Sequence, residues 1–323
     1  MKNLAGNFNK LPKELSLNFF YQNKASLLKE ALFHFASITS LIPKIGLELE
    51  FYLINKDGSR LENQSIVDDF ILNLLELTKN QTLIYEIEKE QGVGQIEVKT
   101  SHHSDLLKVC EEIEEVKILS QKLAFEKNLI ASFAAQPFLD DCGSALQFNI
   151  SLHDKDDKNL FIKKDQVFLN TIAALLNFTD SILVLLAPNS EDYLRFDEET
   201  NRQLYKKGKY TAPVNLSYGA DNRTCAIRVP IEKALEQTHC IDYGKRVEYR
   251  IPAANSDSYV AIFAILKVIL SGIEKNLIPT ELGFDKIHGN AFDQQYNLKS
   301  FAKTYEKALE NFLEKKFLTY EIF

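Results

Sequence analysis

The stretch Glu90-Gln-Gly-Val-Gly-Gln-Ile-Glu97 sets one carboxylate on each side of a Gly-Val-Gly turn and leads into strand-like residues. The two glycines let the backbone double back without steric cost, so Glu90 and Glu97 can face one point. Hard divalent cations such as Mg²⁺ prefer oxygen ligands and are usually held by one or two carboxylates and the phosphates of a nucleotide. The stretch therefore predicts a metal site, and a polar hairpin with two solvated glutamates is the alternative that it leaves open.

A second pair of acids lies upstream, in a segment whose side chains alternate well enough to predict a strand over residues 45–54. Because successive strand residues point to opposite faces, Glu48 and Glu50 project from the same face. An exposed sheet face would accommodate two acids, whereas the leucines and phenylalanine beside them are typical of a buried strand. The segment alone leaves both interpretations open.

Arginines supply the opposite charge downstream. The stretch Arg246-Val-Glu248-Tyr-Arg250 has the period of a strand, which would place its three charged residues on one face as a +/−/+ ladder. As structure alone, this pattern predicts an ion-paired strand. Further arginines follow Tyr193 and Asn222, and the planar fork of arginine can pair bidentately with a carboxylate or a phosphate.

Length and composition indicate a globular, enzyme-sized chain. Its 323 residues are 45% hydrophobic, which is enough for a sizeable core, and carry a formal net charge of −7. Since no basic face dominates, we expect no nucleic-acid partner. The two most apolar helical stretches, 172–188 and 259–272, are interrupted by polar side chains, so we expect no membrane span.

The cysteines and the N-terminus predict a cytoplasmic protein. The four cysteines have no CxxC or metal-finger spacing, which is typical of free thiols in a reducing compartment. Residues 1–10 are polar and lack the apolar run of a secretory signal.

In their order along the chain, these strings resemble the catalytic domain of the glutamine synthetase family over about residues 40–320. The resemblance implies an α+β fold, in which a curved and mostly antiparallel sheet is backed by helices. It divides the chain into a helical N-terminal segment, residues 1–40, and a catalytic domain, residues 41–323. Only 47 residues precede Glu48, so the family's small β-rich N-terminal domain is expected to be absent, together with the aspartate that it contributes to an ammonium pocket.

By this resemblance, the acids form two sites for Mg²⁺ or Mn²⁺. Glu50 would join Glu90 and Glu97 at the first metal, and Glu48 and Glu248 would belong to the second metal, which sits on the ATP phosphates. The family's Gly-Ser-Gly-Met-His-x-His-x-Ser string corresponds to residues 143–151, where amides replace both histidines. Gln147 could still offer a carbonyl oxygen to the second metal, although a neutral ligand is weaker than a carboxylate.

The resemblance also implies how substrate and nucleotide are bound. Arg223 and Arg250 would be catalytic, because their charge stabilises the phosphoryl group during its transfer. The residues implied at the carboxylate substrate are Gly143, Arg195 and Arg250, and those implied at ATP are Asn149, Ser151, Arg223 and Arg228.

One departure from the family affects the second half of the reaction. Residues 210–213 read Tyr-Thr-Ala-Pro, whereas the family has Tyr-Glu-Ala-Pro, and that glutamate takes a proton from the attacking ammonium. Thr211 cannot act as such a base near neutral pH, because its hydroxyl does not ionise in the useful range. The charged residues 196–209, which are longer than the family's loop, would reshape the acceptor pocket.

We therefore expect an ATP-dependent carboxylate–amine ligase, which phosphorylates a glutamate-like carboxylate and forms an amide with an amine or ammonia. Its partners would be ATP and the small-molecule acid and amine. Rings are usual for the family, so a homo-oligomer is a further expectation. The alternative is a catalytically degenerate relative that binds ATP and metal in a regulatory or binding role.

Overall fold

The computed structural model describes residues 17–163, 165–231 and 244–315, and within them eight strands form one sheet. The strands are β1 (Ile42–Asn55), β2 (Ile84–Lys89), β3 (Gln95–Thr100), β4 (Leu129–Ser132), β5 (Leu146–His153), β6 (Tyr218–Ala220), β7 (Ile227–Val229) and β8 (Val247–Tyr249). They lie in the order β2-β3-β1-β5-β8-β7-β6, and β4 also pairs with β1. Every pair is antiparallel except β6 with β7.

The helices of the described residues lie before, between and after these strands. They are α1 (Leu17–Gln22), α2 (Lys24–Thr39), α3 (Gln64–Thr78), α4 (Leu106–Glu126), α5 (Leu160–Lys163), α6 (Asp165–Leu186), α7 (Glu198–Lys206), α8 (Ser258–Glu274) and α9 (Tyr305–Lys315), with 3₁₀ turns at Ser190–Phe196, Thr280–Leu282 and Gln294–Tyr296. Sheet and helices together confirm the expected α+β class.

Strand β1 organises the sheet because it is long enough for three partners. Its residues 48–52 pair with β3 along one edge, and residues 42–49 pair with β5 along the other. Residues 52–55 continue that second edge and pair with β4. Strands that are far apart in sequence are therefore held in one fixed register around β1.

The two faces of the sheet differ sharply in character. Along β1, the side chains of Leu47, Leu49, Phe51 and Leu53 are fully buried and belong to the main hydrophobic core. The residues between them, including Glu48 and Glu50, point to the opposite face, as strand geometry requires. The neighbouring strands alternate in phase with β1, and their fully buried apolar residues are Ile96, Val98, Phe148, Ile150, Val247, Tyr249 and Ile227.

Helices α6 and α8 pack against each other in the layer that backs the sheet, with α2 and α9 beside them. Within the described residues, α6 is the helix that has the length and composition to cross a membrane, but 78% of its most apolar window is buried inside the protein. That degree of burial is typical of a core helix.

Several local predictions are confirmed and others are wrong. Expected strands and helices form close to their predicted places, and the three described cysteines, Cys110, Cys142 and Cys225, are free. From its position before the first apolar residues of α4, the sequence predicts Ser104 as the N-cap, but Asp105 caps the helix, because its carboxylate accepts a hydrogen bond from the Lys108 amide. The sequence also predicts that the acids at 111, 112, 114 and 115 form a solvated side, yet Glu112 is buried and accepts hydrogen bonds from the amides of residues 82 and 83.

The charged stretch 196–209 also differs from expectation, since it contains helix α7 rather than only a loop. Asp197 caps this helix through the Thr200 amide, and a salt bridge between Glu198 and Arg202 spans one turn. The predicted ends of the first and last helices, residues 11–16 and 316–318, lie outside the described residues.

The core beneath β1 gives a direct test of this packing. The Phe51 ring is fully buried and contacts the rings of Phe70 and Phe133, with centroids 6.3 and 5.1 Å away. We expect Phe51→Ala to lower the free energy of unfolding by about 3–5 kcal/mol, measured by urea denaturation, because it leaves a cavity. Phe33 is 78% exposed, so Phe33→Ala should change that free energy by less than about 0.5 kcal/mol. Equal losses in the two variants would contradict the packing.

Candidate functional site

The polar face of the sheet gathers acids, amides and an arginine from five strands, β1, β3, β5, β7 and β8. Glu50 lies directly opposite Glu97 of β3, and Glu48 lies opposite Gln147 of β5. Farther across the sheet, the register pairs Asn149 with Glu248, and Glu248 with Arg228. Directly opposed residues share a face, so these side chains form one continuous surface, which we call the polar face.

The turn after Glu90 is held in shape by a glycine with positive φ and by hydrogen bonds of the Gln95 side chain. Gly94 has a φ of 83°, a left-handed conformation that glycine adopts without cost. The Gln95 side chain accepts a hydrogen bond from the Gly92 amide at 3.0 Å and donates to the Gly143 carbonyl at 3.1 Å. The turn is thereby fixed to the segment that leads into β5.

Glu50 and Glu90 line a small cavity over the polar face. Its volume is about 20 Å³, which is large enough for roughly one water molecule. Of the residues expected at the site, those in the wall are Glu50, Glu90, Gly143, Gln147, Arg195, Arg223 and Arg250. The expected residues outside that wall are Glu48, Glu97, Asn149, Ser151, Arg228 and Glu248.

The carboxylates of Glu50, Glu90 and Glu97 repel one another. Burial, reinforced by the charges of Glu97 and Glu90, raises the pKa of Glu50 to about 8. Burial and the charge of Glu90 raise the pKa of Glu97 to about 7, and burial raises the pKa of Glu90. Three oxygen-donor groups whose negative charge is poorly compensated are a donor set suited to a hard divalent cation.

These three carboxylates do not form a finished coordination sphere. Among the described residues, no three acidic, histidine or cysteine side chains converge closely enough to hold a metal ion. Glu50 accepts hydrogen bonds from the Ala145 amide at 2.8 Å and from Gln147 Nε2 at 2.5 Å. Metal binding would therefore require the carboxylates to turn from their present partners.

Lys99 neutralises part of this acidic surface. Its Nζ lies 3.1 Å from Glu97 and 2.9 Å from Glu86, and it also contacts Glu88. The three carboxylates raise the pKa of Lys99 far above its usual value, against the lowering effect of burial. Sequence reasoning missed this residue, although its position two residues after Glu97 in one strand places both on the same face.

Glu248 is held between two guanidinium groups. Its carboxylate lies 2.6 Å from Arg228 and 2.8 Å from Arg250. Burial alone would raise the pKa of Glu248, but the charges of Arg250 and Arg228 outweigh burial and lower it. By contrast, burial and the charge of Glu248 raise the pKa of Glu48 to about 7.

The two amides that replace histidines link these charged groups. Arg250 donates to Gln147 Oε1 at 3.0 Å, while Gln147 Nε2 donates to Glu50. Asn149 Nδ2 donates to Glu48 at 3.0 Å, and its oxygen accepts from Arg246 Nε at 2.8 Å. Each amide thus connects an acid to an arginine through two hydrogen bonds.

Two buried arginines in the cavity wall have an unused donor. Arg195 donates to the backbone carbonyls of Ile251 and Arg250 at 3.1 and 2.8 Å, and Arg250 donates to the carbonyl of Thr211 at 3.1 Å. Burial lowers the pKa of Arg195 to about 10. The Nε of both guanidinium groups is buried without a hydrogen-bond partner.

Gly143 allows Arg195 to approach this wall. A Cβ at position 143 would stand 2.9 Å from Arg195 Cγ and from the Ala135 carbonyl, closer than such contacts normally come. Ser151, in contrast, is fully buried and shares a hydrogen bond of 2.8 Å with His153 Nε2. Its hydroxyl is therefore engaged within the protein.

Arg223 connects the small cavity to a larger chamber. Its guanidinium lies 4.3 Å from the centre of the Tyr210 ring, and both residues line the two spaces. The chamber has a volume of about 470 Å³. Its wall consists of Tyr205, Lys206, Gly208, Lys209, Tyr210, Thr211, Arg223 and Thr224.

A family sequence model described as "Glutamine synthetase, catalytic domain" matches residues 59–323. The gamma-glutamylputrescine synthetase PuuA of Escherichia coli is 25% identical over 284 residues, which cover 79% of this chain and 55% of that protein. The glutamine synthetases of Sulfolobus acidocaldarius and Pyrococcus horikoshii are 29% and 30% identical, over 64% and 73% of this chain and 42% and 52% of their own lengths. The chain thus spans about half the length of these curated relatives.

Solved structures share the same architecture. A complex of GmaS with ADP superposes with a TM-score of 0.75 at 19% identity, and GmaS without ligand with a TM-score of 0.74 at 20% identity. Each superposition covers 93% of this chain, with 70% and 69% of the respective GmaS chains. At these identities, the likeness establishes the fold.

The raised pKa values predict how stability depends on pH. A carboxyl group whose pKa is higher in the folded than in the unfolded state favours folding when protonated, and this contribution is lost as pH rises through the folded value. For Glu50 that loss extends from about pH 4.5 to about pH 8. We expect the melting temperature of metal-free protein to fall between pH 6 and 8.5, and Glu50→Gln to reduce the fall by about 3 °C or more.

The exposed residue Glu62 provides the control, because Glu62→Gln should leave the pH dependence unchanged. Scanning calorimetry in the presence of EDTA measures each melting temperature. An identical fall in the Glu50→Gln variant and the unmodified protein would contradict the assignment.

Proposed function

Because the chain belongs to the glutamine synthetase family, we propose that it is an ATP-dependent ligase that joins a glutamate-like carboxylate to an amine or ammonia. The observation that carries this proposal is that opposite charges line one cavity. Glu50 and Glu90 share its wall with Arg195 and Arg250, whose Nε donors are buried and unpartnered. A buried donor without a partner costs free energy, which an anionic ligand would recover.

Arg195 and Arg250 are the proposed anchors of the carboxylate substrate. Both are only 3% exposed, and backbone hydrogen bonds hold each guanidinium in place. A guanidinium that is already oriented loses little conformational freedom when it binds an anion. Gly143 supports this arrangement, since any larger residue would press against Arg195.

Glu50, Glu90 and Glu97 are the proposed ligands of a Mg²⁺ or Mn²⁺ ion. Such an ion, when bound, would neutralise charge on the phosphoryl oxygens. The mutual repulsion of the three carboxylates supports this assignment, because a cation is the natural counter-charge for such a cluster.

Three arginines are the proposed contacts of the ATP phosphates and of the phosphoryl group during its transfer. They are Arg223, Arg228 and Arg250. Phosphoryl transfer spreads negative charge over the oxygens of the moving group, and fixed cations stabilise that charge. Arg228 is fixed between Glu248 and Asp221, and Arg223 is stacked on Tyr210. Asn149 and Ser151 belong to the nucleotide side in this proposal.

The proposed reaction has two balanced steps. In the first, a carboxylate oxygen of the substrate attacks the γ-phosphorus of ATP, and the bond from that phosphorus to the ADP oxygen breaks. In the second, the amine nitrogen attacks the acyl carbon, phosphate leaves with the bonding electron pair, and the nitrogen loses a proton. Thr211 offers no base for that proton, so the amine has to arrive uncharged or pass its proton to water.

The larger chamber supports a specific class of acceptor. Lys206, Lys209 and Arg223 line it together with two tyrosines, and none of its lining residues is acidic. Lys209 is paired with the buried Asp141, so Lys206 and Arg223 supply most of the positive charge of this wall. Such a wall repels a second ammonium group, as in the putrescine of the gamma-glutamylputrescine synthetase relative, and attracts an anion. We therefore assign the acceptor to amines that carry a carboxylate or another anionic group.

A regulatory role is the second candidate function. The cavity of about 20 Å³ is far too small for a glutamate-like acid, and the carbonyl of Thr211 in its wall is held by Arg250. A protein that binds nucleotide without opening this wall would act as a binding or regulatory relative. For either role, we assign the ligand-binding unit to residues 41–323, after an N-terminal segment at 1–40 whose described part, residues 17–40, contains α1 and α2. Residues 1–16 of that segment lie outside the described residues. We also assign the protein to the cytoplasm and propose a homo-oligomer.

Phosphate release tests the ligase. With Mg²⁺-ATP, glutamate and a panel of amines, we expect release of inorganic phosphate that depends on the amine. Glu97→Ala should reduce the rate at least about 100-fold, because a cation ligand is lost, whereas Glu62→Ala should leave it unchanged. Tight ATP binding without turnover would instead support the regulatory role, and the absence of ATP binding would contradict both.

The same assay tests the acceptor class. At equal concentrations of uncharged amine, we expect an amino acid to give a higher kcat/KM than a diamine of similar length, by about tenfold. The double variant Lys206→Glu, Lys209→Glu should reverse this preference. A preference for the diamine in the unmodified protein would contradict the assignment of the chamber.

A further inference from the structure

The half of the polar face nearest β7 and β8 has almost no free oxygen to offer a metal ion. We call this part the arginine half, and its residues are Glu48, Gln147, Asn149, Arg228, Arg246, Glu248 and Arg250. Each oxygen of Glu248 accepts from a different guanidinium, Oε1 from Arg250 and Oε2 from Arg228. The side-chain oxygens of Gln147 and Asn149 accept from Arg250 and Arg246.

The charges of the arginine half lead to the same conclusion. Glu248 lies between Arg228 and Arg250, and Arg228 also pairs with Asp221, so these charges already neutralise one another. Lys99, which the register places opposite Glu48, is already paired with Glu86, Glu88 and Glu97. The oxygens that a divalent cation would need here already accept hydrogen bonds from arginines. Such a cation would lose its hydration water without gaining enough protein ligands to offset the cost.

Glu50, at the other end of the polar face, has a different environment. Its hydrogen-bond donors are neutral groups, the Ala145 amide and the Gln147 side chain. Among the described residues, no cationic side chain lies within ion-pairing distance of Glu50 or Glu90. Only Glu97 has such a partner, Lys99, so this cluster retains uncompensated negative charge.

We propose that this protein holds one divalent cation on its own side chains, at Glu50, Glu90 and Glu97, and that Arg228 and Arg250 occupy the place of a second cation. The residues implied for a second metal by the family resemblance do not fit one, since an amide stands at 147 and two arginines cover Glu248. This inference rests on the proposed function only where it identifies the arginine half as the part of the polar face that binds the nucleotide.

The positive charge of the arginine half does not depend on the concentration of metal ions. Guanidinium groups are part of the chain and do not dissociate, so the positive charge that would face the ATP phosphates is present at any free metal concentration. The number of ions held by the protein itself should therefore be one per chain, and removal of Glu248 should not lower it.

A titration with Mn²⁺ measures this number without any catalytic turnover. Electron paramagnetic resonance detects free aqueous Mn²⁺, so the bound ions per chain follow from the loss of signal in nucleotide-free, full-length protein. We expect one bound Mn²⁺ in the unmodified protein. Two bound ions, or none, would overturn the proposal.

Three variants separate the two halves of the polar face. Glu97→Gln should weaken Mn²⁺ binding by about tenfold or more, and Glu90→Gln provides the same test if the first variant fails to fold. Glu248→Gln should leave one bound ion with unchanged affinity. A lower count or a weaker affinity in Glu248→Gln would overturn the proposal.

A gain of binding provides the complementary test. The double variant Gln147→His, Arg228→Gln adds a metal-binding nitrogen and frees one oxygen of Glu248, so we expect a second bound Mn²⁺. If this variant folds and still binds only one ion, then Gln147 and Arg228 do not exclude the second ion, and the proposal fails.

Failure of this inference is distinguishable from failure of the proposed function. Amine-dependent phosphate release with two bound ions per chain would refute the single-ion proposal alone. One bound ion without turnover would refute the ligase alone.

Discussion

The antiparallel register around β1 is the constraint on which the site depends. It places Glu50 opposite Glu97 along one edge and Glu48 opposite Gln147 along the other, with these four residues on one face. Because the side-chain period of a strand is two, a slip of one residue would turn these charges into the core and the leucines outward. The apolar face prevents such a slip, since Leu49 and Phe51 are fully buried beneath the site.

The polar face concentrates charge that is costly to hold in the absence of ligand. Glu50 and Glu97 are each only 6% exposed, and burial, together with the charge of Glu90, raises their pKa values. Glu248 is still more deeply buried, and its pKa is lowered because two arginines flank it. Buried acids on one sheet thus belong to two electrostatic classes, and the difference lies in their partners.

The amides at 147 and 149 extend this division into the hydrogen-bond network. Each joins an acid to an arginine, so a change at one end of the polar face can reach the other through side chains that are already in contact. The same arginine that neutralises Glu248 holds the carbonyl of Thr211 in the cavity wall. Opening the small cavity to a substrate therefore means loosening a contact of Arg250, which couples entry of a ligand to the charges beneath it.

The sequence by itself determined the family, the α+β class, the strand that carries Glu48 and Glu50, and the shared face of residues 246, 248 and 250. These follow from local periodicity and from residue types at fixed spacing. Only the tertiary structure decided that Asp105 caps α4, that Glu112 is buried, and which acids have a cation beside them. Lys99 pairs with Glu86 of the neighbouring strand β2, and Arg228 pairs with Glu248 of β8. No local pattern fixes the strand register that brings these groups within an ion-pair distance.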